Sequence, residues 1–322
     1  MRIGIIGQPT IDEIVHPGMR VAKPERVLGG ILYSYAAMER LMREFGRDGD
    51  TFVPMTWHSN PDREFLETLL IKFRQMDRAA GLWPTDSLSN RVQLVYQEDG
   101  HRSEHCPHIL PPITVAELSA LLLESLDGLF INMISGFDVS LETLESAVRK
   151  LKNRPWIHLD IHALVLGPLS QASSNEKFGS GREPQGVSRW KRWMALADSV
   201  QMNEFETRWL ADPEITAEGD LLNAIGRMSS EVRPKQVIIT RAANGASVYD
   251  LEHGEAHHAP VPIVDVIETT GSGDVFGSAY SYCVIAGNAP EAALRKAVQW
   301  ATWNTTVTSI NQILDRVFKI KP

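Results

Sequence analysis

Short apolar runs alternate with amphipathic stretches of helical period along nearly the whole chain. The runs at 2–7, 51–56, 128–133, 156–160, 199–202 and 236–240 have strand length, and several place β-branched or large apolar residues side by side, as in Val237-Ile238-Ile239. Runs of that kind predict strands buried on both faces. Between them, Ile31, Tyr35, Met38, Leu41, Met42 and Phe45 form one apolar stripe. Leu141, Leu144, Val148 and Leu151 form another, with Ser140 placed as an N-cap and Glu142 in the first turn. Stripes at i, i+4, i+7 spacing predict helices with one face turned to a core. Strand–helix alternation on this scale predicts an α/β fold: a doubly wound, mostly parallel sheet flanked by helices.

Three stretches break the alternation. Residues 91–96 and 101–106, around Glu98-Asp99-Gly100, predict an antiparallel hairpin, as do 247–250 and 255–258 around Glu252-His253-Gly254. The first hairpin, with the polar stretch from Asp12 to Val27, predicts a small β-sheet lid outside the main sheet, spanning roughly 12–28 and 90–107 of a single domain 1–322. Residues 170–186, rich in Ser, Gly and Pro, predict a mobile loop.

With 43% apolar and 22% charged residues, the 322-residue chain can bury a sizeable core without disulfides. Its two cysteines, Cys106 and Cys283, lie far apart in sequence, which excludes a disulfide framework and suits a reducing cytoplasm. A formal charge of −8 with no basic block argues against duplex nucleic acid as a partner. No apolar run reaches the ~18 residues of a membrane span, and the N-terminus reads as one strand rather than a signal peptide.

The strongest local signal is Glu268-Thr269-Thr270-Gly271-Ser272-Gly273-Asp274-Val275-Phe276. Two glycines around a small residue let backbone approach a ligand, at a loop opening a helix that runs to about Ala286. The first amides of that helix lack internal partners and carry the positive end of its dipole, which suits a phosphate or a developing anion. Asp274, in the first turn, could accept a proton from an attacking hydroxyl. An acidic first turn after a glycine loop is the plainer reading of the spacing alone.

The segment resembles the signature of the ribokinase-like, or pfkB, family of sugar and nucleoside kinases, approximately Asp-Thr-Thr-Gly-Ala-Gly-Asp-x-Phe. Gly29-Gly30 before the first long helix resembles the family's N-terminal glycine pair. Asp12 matches the acidic residue that binds substrate hydroxyls. Asn203-Glu204-Phe205-Glu206 resembles the Asn-x-x-Glu motif tied to magnesium and phosphate, and Thr240 to Gly245 the nucleotide-side strand and turn. The resemblance implies ATP as donor with Mg²⁺, and Asp274 as base. Amides of Gly271, Ser272 and Gly273 would stabilise the transferring group. Asp12, Gly29, Gly30 and Ser34 would lie at the acceptor, and Thr240, Gly245, Asn203 and Asn304 at the nucleotide. Glu206 would organise the metal through water. A small-molecule acceptor, a sugar, polyol or nucleoside, is the implied partner, and an exposed lid face makes a homodimer plausible.

Departures from the pattern bear on specificity. Ser34 stands where members often have a sugar-contacting Asn, and Glu268 stands for an Asp that places a monovalent cation in some members, leaving potassium dependence open. Ala242 replaces a nucleotide-side glycine, and Ser278-Ala279 a glycine pair. His158, Asp160 and His162, expected on one strand face, could bind a metal or merely face the cleft at a strand end. His253, His257 and His258 read as hairpin surface, and Trp190, Trp193, Trp209, Trp300 and Trp303 as packing. Gly4-Ile5-Ile6-Gly7 lacks the Rossmann continuation, and neither a P-loop nor a nucleophile elbow occurs. The competing reading is a non-catalytic sugar- or nucleotide-binding regulator on the same fold.

Overall fold

The computed structural model describes residues 1–15, 25–96, 102–165, 189–209, 218–228, 230 and 233–318. The expected loop at 170–186 and the turn at 98–100 lie outside the described residues. In chain order the elements are β1 (Arg2–Ile6), β2 (Pro9–Val15), β3 (Glu25–Gly30), α1 (Ile31–Phe45), β4 (Thr51–Ser59), α2 (Arg63–Leu70), β5 (Leu82–Thr85), β6 (Asn90–Tyr96) and β7 (Arg102–His108). Then come α3 (Ala120–Glu124), β8 (Gly128–Asn132), α4 (Leu141–Val148), β9 (Trp156–Asp160), α5 (Trp190–Met194), β10 (Ser199–Asn203), α6 (Glu204–Trp209) and α7 (Glu218–Gly226). The last are β11 (Gln236–Thr240), β12 (Ala246–Asp250), β13 (Glu255–Ala259), α8 (Ser272–Ile285), α9 (Pro290–Asn304) and α10 (Ile310–Asp315).

Nine strands form one sheet in the order β13-β12-β11-β10-β9-β8-β1-β4-β5. Pairing is parallel from β11 to β5, and antiparallel only at the β11–β12–β13 edge. Period-two alternation sends the two faces of the sheet to two separate cores. Ile238 joins Phe130, α1, α8, α9 and α10 on one face, while Val237 and Ile239 join α3, α4, α5 and α7 on the other. The stripe expected in α1 is buried except at Phe45, where the helix ends, and Ser140 caps α4 by accepting from the Thr143 N–H at 3.1 Å. Trp190, Trp193, Trp300 and Trp303 are all buried.

A second, four-stranded sheet runs β3-β2-β6-β7. The expected β6–β7 hairpin is present, and the polar stretch after β1 supplies β2, which starts at Pro9 and pairs antiparallel with β3 and parallel with β6. β1 pairs with β4 on one side and β8 on the other, so the chain reverses direction across the sheet at β1. Such switch points open a crevice beyond the carboxyl ends of the strands, where ligands bind in open α/β sheets. Asn132, Asp160, Asn203 and Thr240 all end parallel strands there.

Candidate active site

The glycine loop is built as its sequence requires. Gly271 is the N-cap of α8 with φ 77°, and a Cβ on it would lie 2.2 Å from the Tyr33 ring. Glu268 folds over the start of the loop, its Oε1 accepting from Thr269 N–H, Thr270 N–H and Thr270 Oγ1. Ser272 N–H turns back to the Thr269 carbonyl at 3.2 Å, and Val275 N–H makes the first helical bond to Gly271. Gly273 is exposed, and a Cβ there would meet nothing within 4 Å. The N–H groups of Gly273 and Asp274 belong to the first turn of a 14-residue helix, where amides have no partner within the helix and lie at the positive end of its dipole.

Asp274 sits beside these amides, its Oδ1 accepting from Asn132 Nδ2 at 2.7 Å. Burial pushes its carboxyl upward, with His162 and the Asn132 bond pulling back. A carboxyl raised in this way is a stronger proton acceptor than a free aspartate, as a general base requires. Ser34 departs from its expected place. It is fully buried, and its Oγ accepts the other Asn132 N–H at 3.2 Å, so it supports Asn132 beneath the cleft. The first turn of α1 presses that side of the helix against the sheet.

Asp12 lies on β2 opposite Val27 of β3, and its side chain leans diagonally over Gly29, the partner of Thr10. A Cβ on Gly29 would fall 2.4 Å from Asp12 Oδ2, so the glycine is required by the carboxylate lying over it. Gly30 has φ 61° and caps α1. Burial raises the Tyr33 hydroxyl, and Asp12, Asp274 and Glu268 add to the rise. One tyrosine thus borders the acidic residue of the small sheet and both ends of the glycine loop.

On the opposite side, Asn203 Oδ1 caps α6, accepting from Phe205 N–H at 2.8 Å and Glu206 N–H at 2.9 Å. Glu206 replies through both oxygens, to Asn203 N–H and Asn203 Nδ2 at 2.7 Å each. Burial pushes Glu206 up to about 8. Asp160 is raised too, by burial first and then by Glu206 and Asp274. Thr240 ends β11 half-buried. Gly245, at φ 81°, is needed because a Cβ would lie 2.0 Å from the Ala259 carbonyl. Asn304 is buried under the loop, giving its Nδ2 to the Thr270 carbonyl at 2.9 Å, rather than bordering an open pocket.

The histidines behave differently from the expected common face. β9 ends at Asp160, whose Oδ1 accepts the His162 N–H at 3.2 Å, and His162 leaves the strand with φ 31°. That side-chain turn breaks the alternation. His158 is buried between Phe130 and Tyr280, and burial lowers it to about 4, so it stays neutral. Among the described residues no group of three or more His, Cys, Asp or Glu could hold a metal ion, and no helix is long and apolar enough to cross a membrane. Sequence reasoning missed Asn132 and Gln201. Gln201 alternates with Val200 and Met202, so a polar group under a helix was its only signal.

Residues 171–315 match the pfkB family of carbohydrate kinases. A curated fructokinase from Klebsiella pneumoniae is 29% identical over 85 residues, which span 26% of this chain and only 25% of that protein. The fold aligns with the crystal structure of a ribokinase from Thermotoga maritima at TM-score 0.67, 17% identity and 97% coverage of both chains. An aminoimidazole riboside kinase from Salmonella enterica, complexed with aminoimidazole riboside and an ATP analogue, gives 0.69 and 16%, covering 98% of this chain and 100% of that one. An uncharacterised sugar kinase from Pyrococcus horikoshii in complex with ATP gives 0.71 and 18%, covering 96% and 94%. Residues 171–315 thus match the pfkB carbohydrate kinase family, and the fold is similar to that of ribokinase and related sugar and nucleoside kinases.

Proposed function

We propose that the protein is an ATP-dependent kinase that phosphorylates a hydroxyl of a sugar, polyol or nucleoside. The observation that carries this reading is the Asp274 carboxylate, raised by burial and held by Asn132, in the first turn of the helix that the glycine loop opens. Asp274 takes the proton of the acceptor hydroxyl as that oxygen bonds the γ-phosphorus, and the bond to the bridging oxygen breaks to release ADP. The amides of Gly271, Gly273 and Asp274 stabilise charge on the transferring group, whereas the expected Ser272 amide is already given to the Thr269 carbonyl; electrostatic positioning supplies most of the catalysis.

Asp12, with Gly29 and Gly30 shaping the strand beside it, holds acceptor hydroxyls from the small sheet, which acts as a lid over the crevice. Ser34 contributes indirectly, through Asn132. Thr240 and the turn ending at Gly245 lie on the donor side. Mg²⁺ fits the acidic pair Asp160 and Glu206 through water. Both carboxylates are buried and resist ionisation, a state that a nearby cation would reverse, while the Glu206 oxygens already accept from Asn203. Bound with ATP, Mg²⁺ would neutralise phosphate charge.

The test is ADP release by the purified protein with ATP and Mg²⁺ across sugars, polyols and nucleosides. Acceptor-dependent release, lost in Asp274→Ala with acceptor binding retained, is expected. Equal turnover by that variant would remove Asp274 as the base. Ligand binding without turnover in the wild type would favour a regulator.

A further inference from the structure

The glycine loop does not orient itself. In a trans peptide the carbonyl and the following N–H point in opposite directions, so a carbonyl held inward turns the next N–H outward. Two loop carbonyls are held inward by buried side-chain amides from separate elements. At the end of α9, Asn304 Nδ2 donates to the Thr270 carbonyl at 2.9 Å and lies 3.3 Å from Ser272 Oγ. On β10, Gln201 Nε2 donates to the Gly273 carbonyl at 3.1 Å and to Asp160 Oδ2 at 2.7 Å. The N–H groups that follow these carbonyls belong to Gly271, ahead of α8, and Asp274, in its first turn, where Gln201 reinforces the direction that the helix sets.

Neither amide reaches the open face, since Asn304 is 1% exposed and Gln201 3%. Burying an amide is unfavourable unless its polar atoms are used. In both residues the amide nitrogen is spent on the loop, whereas Asn304 Oδ1 has no hydrogen-bond partner among the described residues. Gln201 is admitted by Gly277 of α8, where a Cβ would fall 3.0 Å from Gln201 Oε1. An apolar side chain would fill either space without that demand.

We propose that Gln201 and Asn304 are positioning residues for phosphoryl transfer, a pair of buried amides that hold the loop carbonyls inward and so aim its N–H groups at the transferring phosphoryl. The inference rests on the kinase reading. The variants Gln201→Leu and Asn304→Leu keep volume and lose the donors, whereas Gln201→Glu and Asn304→Asp keep shape and lose them as well. Each is compared with wild type by steady-state kinetics and by hydrogen–deuterium exchange of a peptide covering residues 268–276.

All four variants are expected to lower kcat by about 100-fold, the scale of a small misplacement of reacting groups, with KM for acceptor and ATP unchanged. Exchange should rise in the 268–276 peptide and stay at wild-type levels in β1 and β8. Unchanged loop exchange overturns the proposal whatever the activity, and so does a rise spread over the whole chain, which marks a general structural role. A wild type that turns over no acceptor defeats the kinase reading instead, and the exchange pattern still decides whether the amides brace the loop.

Discussion

Ala242 is a non-glycine residue at φ 44°, in the turn between β11 and β12. Left-handed backbone crowds the Cβ of an L-residue, at a penalty of roughly 1–2 kcal/mol. Ala242→Gly should therefore raise stability by up to about 1 kcal/mol once glycine's greater unfolded-state entropy is subtracted, read from thermal or urea unfolding. Gly271→Ala should act in the opposite direction, because φ is again positive and the Tyr33 ring stands in the way. Loss of turnover is expected there together with a lower midpoint. Asp138 supplies a pH test. It is fully buried, and burial pushes it up to about 6, although Gln8 N–H, Ser135 N–H and Ser135 Oγ all donate to its carboxylate. The folded state then binds this proton more tightly than the unfolded chain does. Its contribution to stability is complete below the ordinary 3.8 and is lost as pH rises through about 6. The decline in melting temperature over that window should flatten in Asp138→Asn.

Two arginines of the small sheet reach one buried carboxylate of the main body, Arg91 of β6 at 2.6 Å and Arg26 of β3 at 3.7 Å. Asp62, the N-cap residue of α2, accepts from Arg91 of β6 at 2.6 Å and from Ser89 N–H at 2.8 Å. Burial raises Asp62, but those donors outweigh it and hold the carboxyl below its usual range. Arg91→Ala removes the shorter of the two guanidinium contacts to this carboxylate and leaves Arg26 at 3.7 Å, so stability should fall by up to about 3 kcal/mol. Proteolysis within β6–β7 should quicken as the sheet loosens, and the acceptor KM should rise. The β6–β7 hairpin was legible in its alternation, and the glycine loop in its spacing, because both are set by neighbours in sequence. The parallel pairing of β2 with β6 was not, since its partners lie some 80 positions apart and polar residues such as Asp12 and Glu13 weaken the strand signal. The same distance hid Asn132, which joins Ser34 to Asp274 only once β8, α1 and α8 have met. Sequence marks Ser34 and Asn304 as polar residues near a motif without saying on which side of the backbone each falls; in the fold both are buried.

At the scale of the molecule, the crevice draws Asp12 from the start of the chain and Asp274 from near its end, and the sheet between them is continuous. The buried face of α1 packs on α8 and α10, which the ribosome makes more than 200 residues later. At translation rates of ~5–20 residues per second, α1 waits roughly 10–50 s for those helices. During that interval Leu32, Tyr35, Met38 and Leu41 have nothing to cover them from the C-terminal side. The nascent protein is thus a natural client for a holding chaperone, and a chain broken off before α8 should precipitate on release from the ribosome, rather than persist as a folded, inactive half.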